Sequence, residues 1–132
     1  MGRKIFYWGL FAIYSIMVFI FSSRPETGVK QFFYGQDKVI HFIIYAFHAF
    51  LGWIALLENN LTTKWYPYLL SFIFSFSFSL FNEIYQYFIP EREFSLGDII
   101  ANLLGIITCL AFISRHKVKK VPGTKFYFRS IL

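Results

Sequence analysis

Four apolar runs, each long enough to cross a bilayer, leave this chain little choice of fold. They lie at residues 5–22, 39–57, 66–89 and 96–113. A run of about 20 residues rising about 1.5 Å each matches a hydrocarbon core of roughly 30 Å. Lipid offers no partner to a bare backbone, so each run must close its own hydrogen bonds as a helix. The expected architecture is an all-α integral membrane bundle of four transmembrane helices, forming one domain over residues 1–113 with a basic tail at 114–132. Composition agrees: 57% of the 132 residues are hydrophobic and only 15% are charged, which leaves too little polar surface for a water-soluble domain.

The first run follows Arg3-Lys4 and imitates a secretory leader. It is long for one, and Ser22-Ser23-Arg24-Pro25 is a poor cleavage site, so a retained helix is expected. Pro90 should end the third helix. The fourth run is short and should tilt little or thin the bilayer. Trp65, Tyr66 and Tyr68 are expected as interfacial anchors, because amphipathic rings favour the headgroup level.

The formal charge of +6 raises the question of nucleic acid. Placement of the basic residues answers it. With four spans, one side receives Arg3, Lys4, Lys64 and six tail residues, and the other only Arg24, Lys30, Lys38 and Arg92. That bias predicts a multi-pass protein of the cell membrane with both termini cytoplasmic, its partners being membrane lipids and not nucleic acid. Cys109 is the single cysteine, so the chain can form neither an internal disulfide nor a thiolate metal site. Oligomeric state is not readable.

Ionisable residues inside such runs are costly, roughly 2.5 to 3.5 kcal/mol each at a helix centre, so those that persist face protein or water. Helical spacing gathers them into stripes. The third helix carries Ser71, Ser75, Ser79, Asn82, Glu83 and Gln86. The fourth carries Asp98, Ala101, Asn102, Gly105 and Cys109, and the second Asp37, His41, Tyr45, His48, Ala49 and Gly52. Topology brings the start of the second helix, the end of the third and the start of the fourth to the outer level. The stripes are expected to line an outward-facing polar cavity whose floor lies near Glu83 and His48.

Two blocks carry a family resemblance: Asp37-Lys38-Val39-Ile40-His41-Phe42-Ile43-Ile44-Tyr45, and Glu83-x-x-Gln86 followed by Pro90-x-Arg92 and Asp98-x-x-x-Asn102-x-x-Gly105. Together they resemble the VanZ-like family of small multi-span bacterial membrane proteins over most of the chain from Ser22 to about Thr108. The resemblance implies a four-helix architecture and an association with teicoplanin, hence glycopeptide, resistance. It permits a role in processing an extracytoplasmic lipid or envelope precursor. Glu91, between Pro90 and Arg92, stands where the family usually has a small residue.

Three functional readings stay open. In the first, the cavity binds, and as a membrane hydrolase or transferase processes, an anionic lipid or lipid-linked cell-envelope precursor. Glu83, His41 and Asp98 are then the candidate catalytic groups, with Glu83 and His41 handling protons. Arg92 and Lys38 would hold a phosphate or carboxylate, while Gln86, Asn102, Asp37 and Tyr45 complete the binding set. In the second, the polar cluster is interhelical glue in a non-catalytic scaffold or assembly partner: Asp37 and Asp98 cap their helices, His48 is a packed, hydrogen-bonded histidine, and Arg92 pairs with Glu91 or Glu93 at the surface. In the third, the chain is a small ion- or proton-coupled carrier. No cofactor is expected. A divalent metal held by His41, Asp98, Glu83 and His48 is chemically open, but the spacing matches no metal motif.

Overall fold

A computed structural model describes residues 2–24, 32–57, 65–90, 92 and 94–116. Within them lie four helices and no strand: α1 (Gly2–Ser22), α2 (Gln36–Leu57), α3 (Tyr66–Gln86) and α4 (Leu96–Arg115). All four are long and apolar enough to cross a membrane, and the chain is a multi-pass helical membrane protein. The tail from residue 117, the connectors at 25–31 and 58–64, and the pairing of Arg92 with Glu91 or Glu93 lie outside the described residues.

Each boundary has a local cause. Gly35 adopts φ +79°, a left-handed turn open to glycine, and α2 starts directly after it, three residues before the apolar run. Asp37 is therefore inside the first turn instead of capping the helix, a position where its charge still complements the helix dipole. Ser95 caps α4, its Oγ accepting from the Asp98 N–H at 3.3 Å. The cap assigned to Asp98 from sequence thus belongs to the residue three positions earlier, and Asp98 keeps its carboxylate for other contacts. α3 stops at Gln86, earlier than the apolar pattern, because Pro90 disfavours a helical residue before it and residues 87–90 tighten into turns. At its far end α4 runs on to Arg115, and 20 residues span about 30 Å, so this helix is full length and has no need to thin a bilayer.

α2 is the central element. It packs most extensively on α4, then on α3 and α1; α3 also meets α4, whereas α1 barely touches α3 and does not meet α4. The stripes of small residues explain this order. Ser71, Ser75 and Ser79 are fully buried along α3, and the Ser71 hydroxyl donates to the Ala49 carbonyl at 2.7 Å. A Cβ built on Gly105 would land on the Phe42 carbonyl oxygen of α2, so the two backbones touch there. Tyr45, Ala49, Trp53, Ile106, Leu110 and Ile113 fill the seam.

Bulky residues such as Phe21, Phe74, Phe81, Ile84, Leu104 and Phe112 point outward into what a soluble protein would cover. Trp65 and Tyr66 are exposed at the start of α3, as interfacial anchors should be. Tyr68 instead turns in against Trp53, ring centroids 5.9 Å apart.

The Gly105 contact generates a prediction. Alanine gains about 1 kcal/mol over glycine in helix propensity, but here main-chain atoms of α2 would have to move, an overpacking that costs about 1–3 kcal/mol. Gly105→Ala should lower the thermal unfolding temperature in detergent. Gly9→Ala, where an added Cβ meets nothing within 4 Å, should not. Equal melting of both variants would show that α2 and α4 do not touch at this point.

Candidate functional site

Three helices contribute one ionisable group each to a common point. Glu83 comes from the last turn of α3, His41 from the second turn of α2, and Asp98 from the first turn of α4. One ligand-capable atom of each lies within 4.8 Å of the others. His41 Nδ1 is 3.8 Å from Glu83 Oε1. Exposure falls steadily inward: the side chain of Lys38 is 48% exposed, His41 20%, Asp98 12% and Glu83 1%. The cluster is thus entered from the end of the bundle where α2 and α4 begin.

The polar neighbours of this point are held firmly. Lys38 Nζ donates to Asp37 Oδ2 at 2.8 Å and to Asp98 Oδ1 at 3.3 Å, bridging α2 to α4. Gly97 makes room for that bridge, since a Cβ there would stand 2.8 Å from Lys38 Cε. His41 Nδ1 lies 3.0 Å from Asn102 Oδ1, and because a carbonyl oxygen only accepts, that nitrogen is the donor. Asn102 Nδ2 in turn donates to Ser79 Oγ at 2.8 Å, so α2, α4 and α3 are linked through one amide.

Glu83 is the exception. It is completely buried, and neither carboxylate oxygen has a hydrogen bond of good geometry; the Ser95 main-chain N–H is directed at the carboxylate without closing such a bond. Leaving a buried acceptor unsatisfied costs about 1–3 kcal/mol, and more for a charged group. A carboxyl used as glue would be bonded to something. This one faces His41 and Asp98 and is bonded to neither.

Other expected members are occupied elsewhere. Tyr45 does not join His41; its hydroxyl accepts from Asn82 Nδ2 at 2.7 Å. Gln86 Nε2 donates to Ser22 Oγ at 2.6 Å and ties α3 to α1. Arg92 Nε donates to the Arg24 carbonyl at 2.9 Å, and no ion pair among the described residues includes it. His48 is not the floor of the Glu83 site. Seven residues along α2 from His41, or about 10 Å, it lies 2.9 Å from Ser75 Oγ and 3.0 Å from Ser15 Oγ and stacks on Phe78. It joins three helices, and with Trp8, Phe11 and Phe74 it lines a separate crevice of about 220 Å³.

Ser95, Ser22 and Gly97, and the partner of Ser15, escaped the sequence reading. Ser95 had a usable signal, the Ser-x-x-Asp pattern before an apolar run. Ser22 and Ser15 had none, because a serine in a membrane helix reveals neither its rotation nor its partner.

An acid, an imidazole and a second acid converging at one end of an apolar bundle, with an ammonium group above them, define a polytopic membrane protein with a buried ionisable centre. A family model described as VanZ/LLP1 matches residues 6–117, and the chain belongs to that family. No curated protein and no solved structure matches the chain.

The bonding pattern separates two variants. Asn102→Ala removes the acceptor of His41 and the donor to Ser79 and should cost about 1–2 kcal/mol of stability. Glu83→Gln breaks no hydrogen bond and should cost none. Thermal unfolding of both in chelator-treated detergent solution tests this, and a Glu83→Gln loss matching that of Asn102→Ala would make Glu83 structural glue.

Proposed function

We propose that this protein binds the phosphate or carboxylate headgroup of a lipid or lipid-linked envelope precursor at the outer face of the bacterial cytoplasmic membrane and processes it there. The observation that carries the reading is Glu83, a fully buried carboxyl without a hydrogen bond, aimed at His41 and Asp98. Natural bundles bury such a group at a cost, and that cost is expected where the group acts on something other than its own fold.

Lys38 supplies the cation for the anionic headgroup. Half-exposed at the mouth of the cluster, it is already desolvated on one side by its two acids. Asp37 and Asp98 orient it, and Asn102 orients His41. Glu83 and His41 are the proton-handling pair. Arg92, its Nε on a main-chain carbonyl, still offers the rest of its planar fork to an anion at the rim. Tyr45 and Gln86, bonded within the bundle, position helices and do not touch substrate. The excess of Lys and Arg on the opposite side supports an outward-facing site with cytoplasmic termini. An envelope-precursor substrate is also the chemistry through which such a protein would contribute to teicoplanin resistance.

The scaffold reading accounts well for Asn82–Tyr45, Gln86–Ser22 and His48 with its two serines, all of which join helices. It does not account for Glu83.

Native mass spectrometry of the detergent-purified chain with phosphatidylglycerol, undecaprenyl phosphate and phosphatidylcholine tests the headgroup requirement. The anionic lipids should be retained over the zwitterionic one, and Lys38→Ala should weaken their retention about tenfold, the worth of one charge-assisted hydrogen bond. In cells, Glu83→Gln should abolish any teicoplanin phenotype at unchanged membrane abundance. Indifference to headgroup charge, or full activity of Glu83→Gln, would sink the proposal.

A further inference from the structure

We infer that His41, Glu83 and Asp98 form a binding site for a single divalent cation of the zinc or manganese type. The inference rests on the reading above and revises one part of it: with Glu83 and His41 engaged as ligands, proton handling would fall to a water polarised by the ion while a lipid headgroup is engaged.

Three observations support it independently of sequence motifs. The first is convergence: an imidazole nitrogen and two carboxylate oxygens, from three different helices, lie within 4.8 Å of one another. Ligands at about 2.1 Å from a tetrahedral ion stand roughly 3.4 Å apart, so the 3.8 Å between His41 Nδ1 and Glu83 Oε1 needs a small contraction together with loss of the proton that Nδ1 donates to Asn102. The second is the absence of hydrogen bonds to Glu83. A metal ion would satisfy a fully buried carboxylate without requiring a donor from the protein. The third is charge. Two carboxylates facing each other in a low-dielectric setting repel; the nearby cations are Lys38, whose ammonium is 3.3 Å from Asp98, and Arg92, and neither forms an ion pair with Glu83 among the described residues. A divalent ion neutralises both acids together.

The surroundings suit such an ion. Lys38 holds Asp37 at 2.8 Å, so it keeps a partner when Asp98 turns to the metal. Asn102 Oδ1 holds the His41 ring through the Nδ1 proton in the ion-free chain; ligation through Nδ1 would release that proton and exchange the hydrogen bond for the metal bond, while Ser79 keeps Asn102 in place. Nitrogen and carboxylate donors without thiolate suit zinc or manganese better than soft ions. Three protein ligands leave coordination positions open toward the end of the bundle, where a headgroup oxygen or water would bind and be polarised.

The test uses the full chain in phosphatidylcholine nanodiscs, a lipid of zero net charge. After loading with Mn²⁺ or Zn²⁺ and gel filtration, elemental analysis should find close to one ion per chain. Glu83→Gln and Asp98→Asn should each lower retention at least tenfold, and Cys109→Ser, which removes the one thiol, should retain the ion. No retained ion in the unaltered chain, or retention undiminished in Glu83→Gln, would overturn the inference. If the variants do not fold, the unaltered chain decides: a chelator should lower its unfolding temperature and added Mn²⁺ restore it, and no shift in either direction would count against the site. Metal retained by a protein that binds no anionic lipid supports the centre and sinks only the headgroup reading. Anionic lipid bound by a protein that retains no metal does the reverse.

Discussion

The backbone contact between α2 and α4 at Phe42 and Gly105 is the constraint on which the rest of the bundle depends. In hydrocarbon no hydrophobic drive presses helices together, so van der Waals contact and interhelical hydrogen bonds must hold them. With no side chain at residue 105, the two axes come close enough for short polar groups to reach across. His41 is adjacent to Phe42, and Asn102 is one turn before Gly105, so the same contact sets the 3.0 Å distance between them. A wider spacing would strand both in apolar surroundings. α3 then docks its serine edge into the groove, and Ser79 reaches Asn102.

Against this background the polar groups divide into two kinds. Asn102, Tyr45, Gln86 and His48 are each bonded to a partner on another helix, and their energetic role is cohesion. Glu83 is surrounded by the same well-bonded neighbours yet bonded to none of them. Structures tolerate such a group when surrounding interactions hold it in place, and its neighbours Asn82 and Gln86 do so from either side along α3. The fold therefore maintains an unfavourable arrangement at one point with favourable arrangements around it.

Much of this was legible in the sequence because bilayer thickness and helical period are rigid rules. Length and apolarity gave four helices, and spacing of three and four gave the faces of α2, α3 and α4. What spacing does not reveal is how far each helix is rotated about its axis, or which of two nearby polar groups a side chain will choose. Hence Asp98 could be read as a cap or as a charge partner until Ser95 proves to be the cap, and His48 as cavity floor or as a packed, hydrogen-bonded histidine until a serine on either side claims it. Arg92 shows the same limit: its Nε reaches the Arg24 carbonyl just beyond the far end of α1, a partner that no spacing rule points to. Boundaries missed by a few residues had local causes, Gly35 before α2 and Pro90 after α3, whose reach along the chain depends on the turn they form.

The peripheral seat of α1 has a mechanical consequence. α2 and α4 are locked by main-chain contact, and α3 is keyed into both, so these three can neither slide nor swivel without breaking the arrangement that defines the centre. α1 is attached through a few side-chain links, Tyr14 to the Ile44 carbonyl, Ser15 to His48 and Ser22 to Gln86, and it never meets α4. The first helix is therefore the least embedded of the four, and the other three make up the frame that carries the centre.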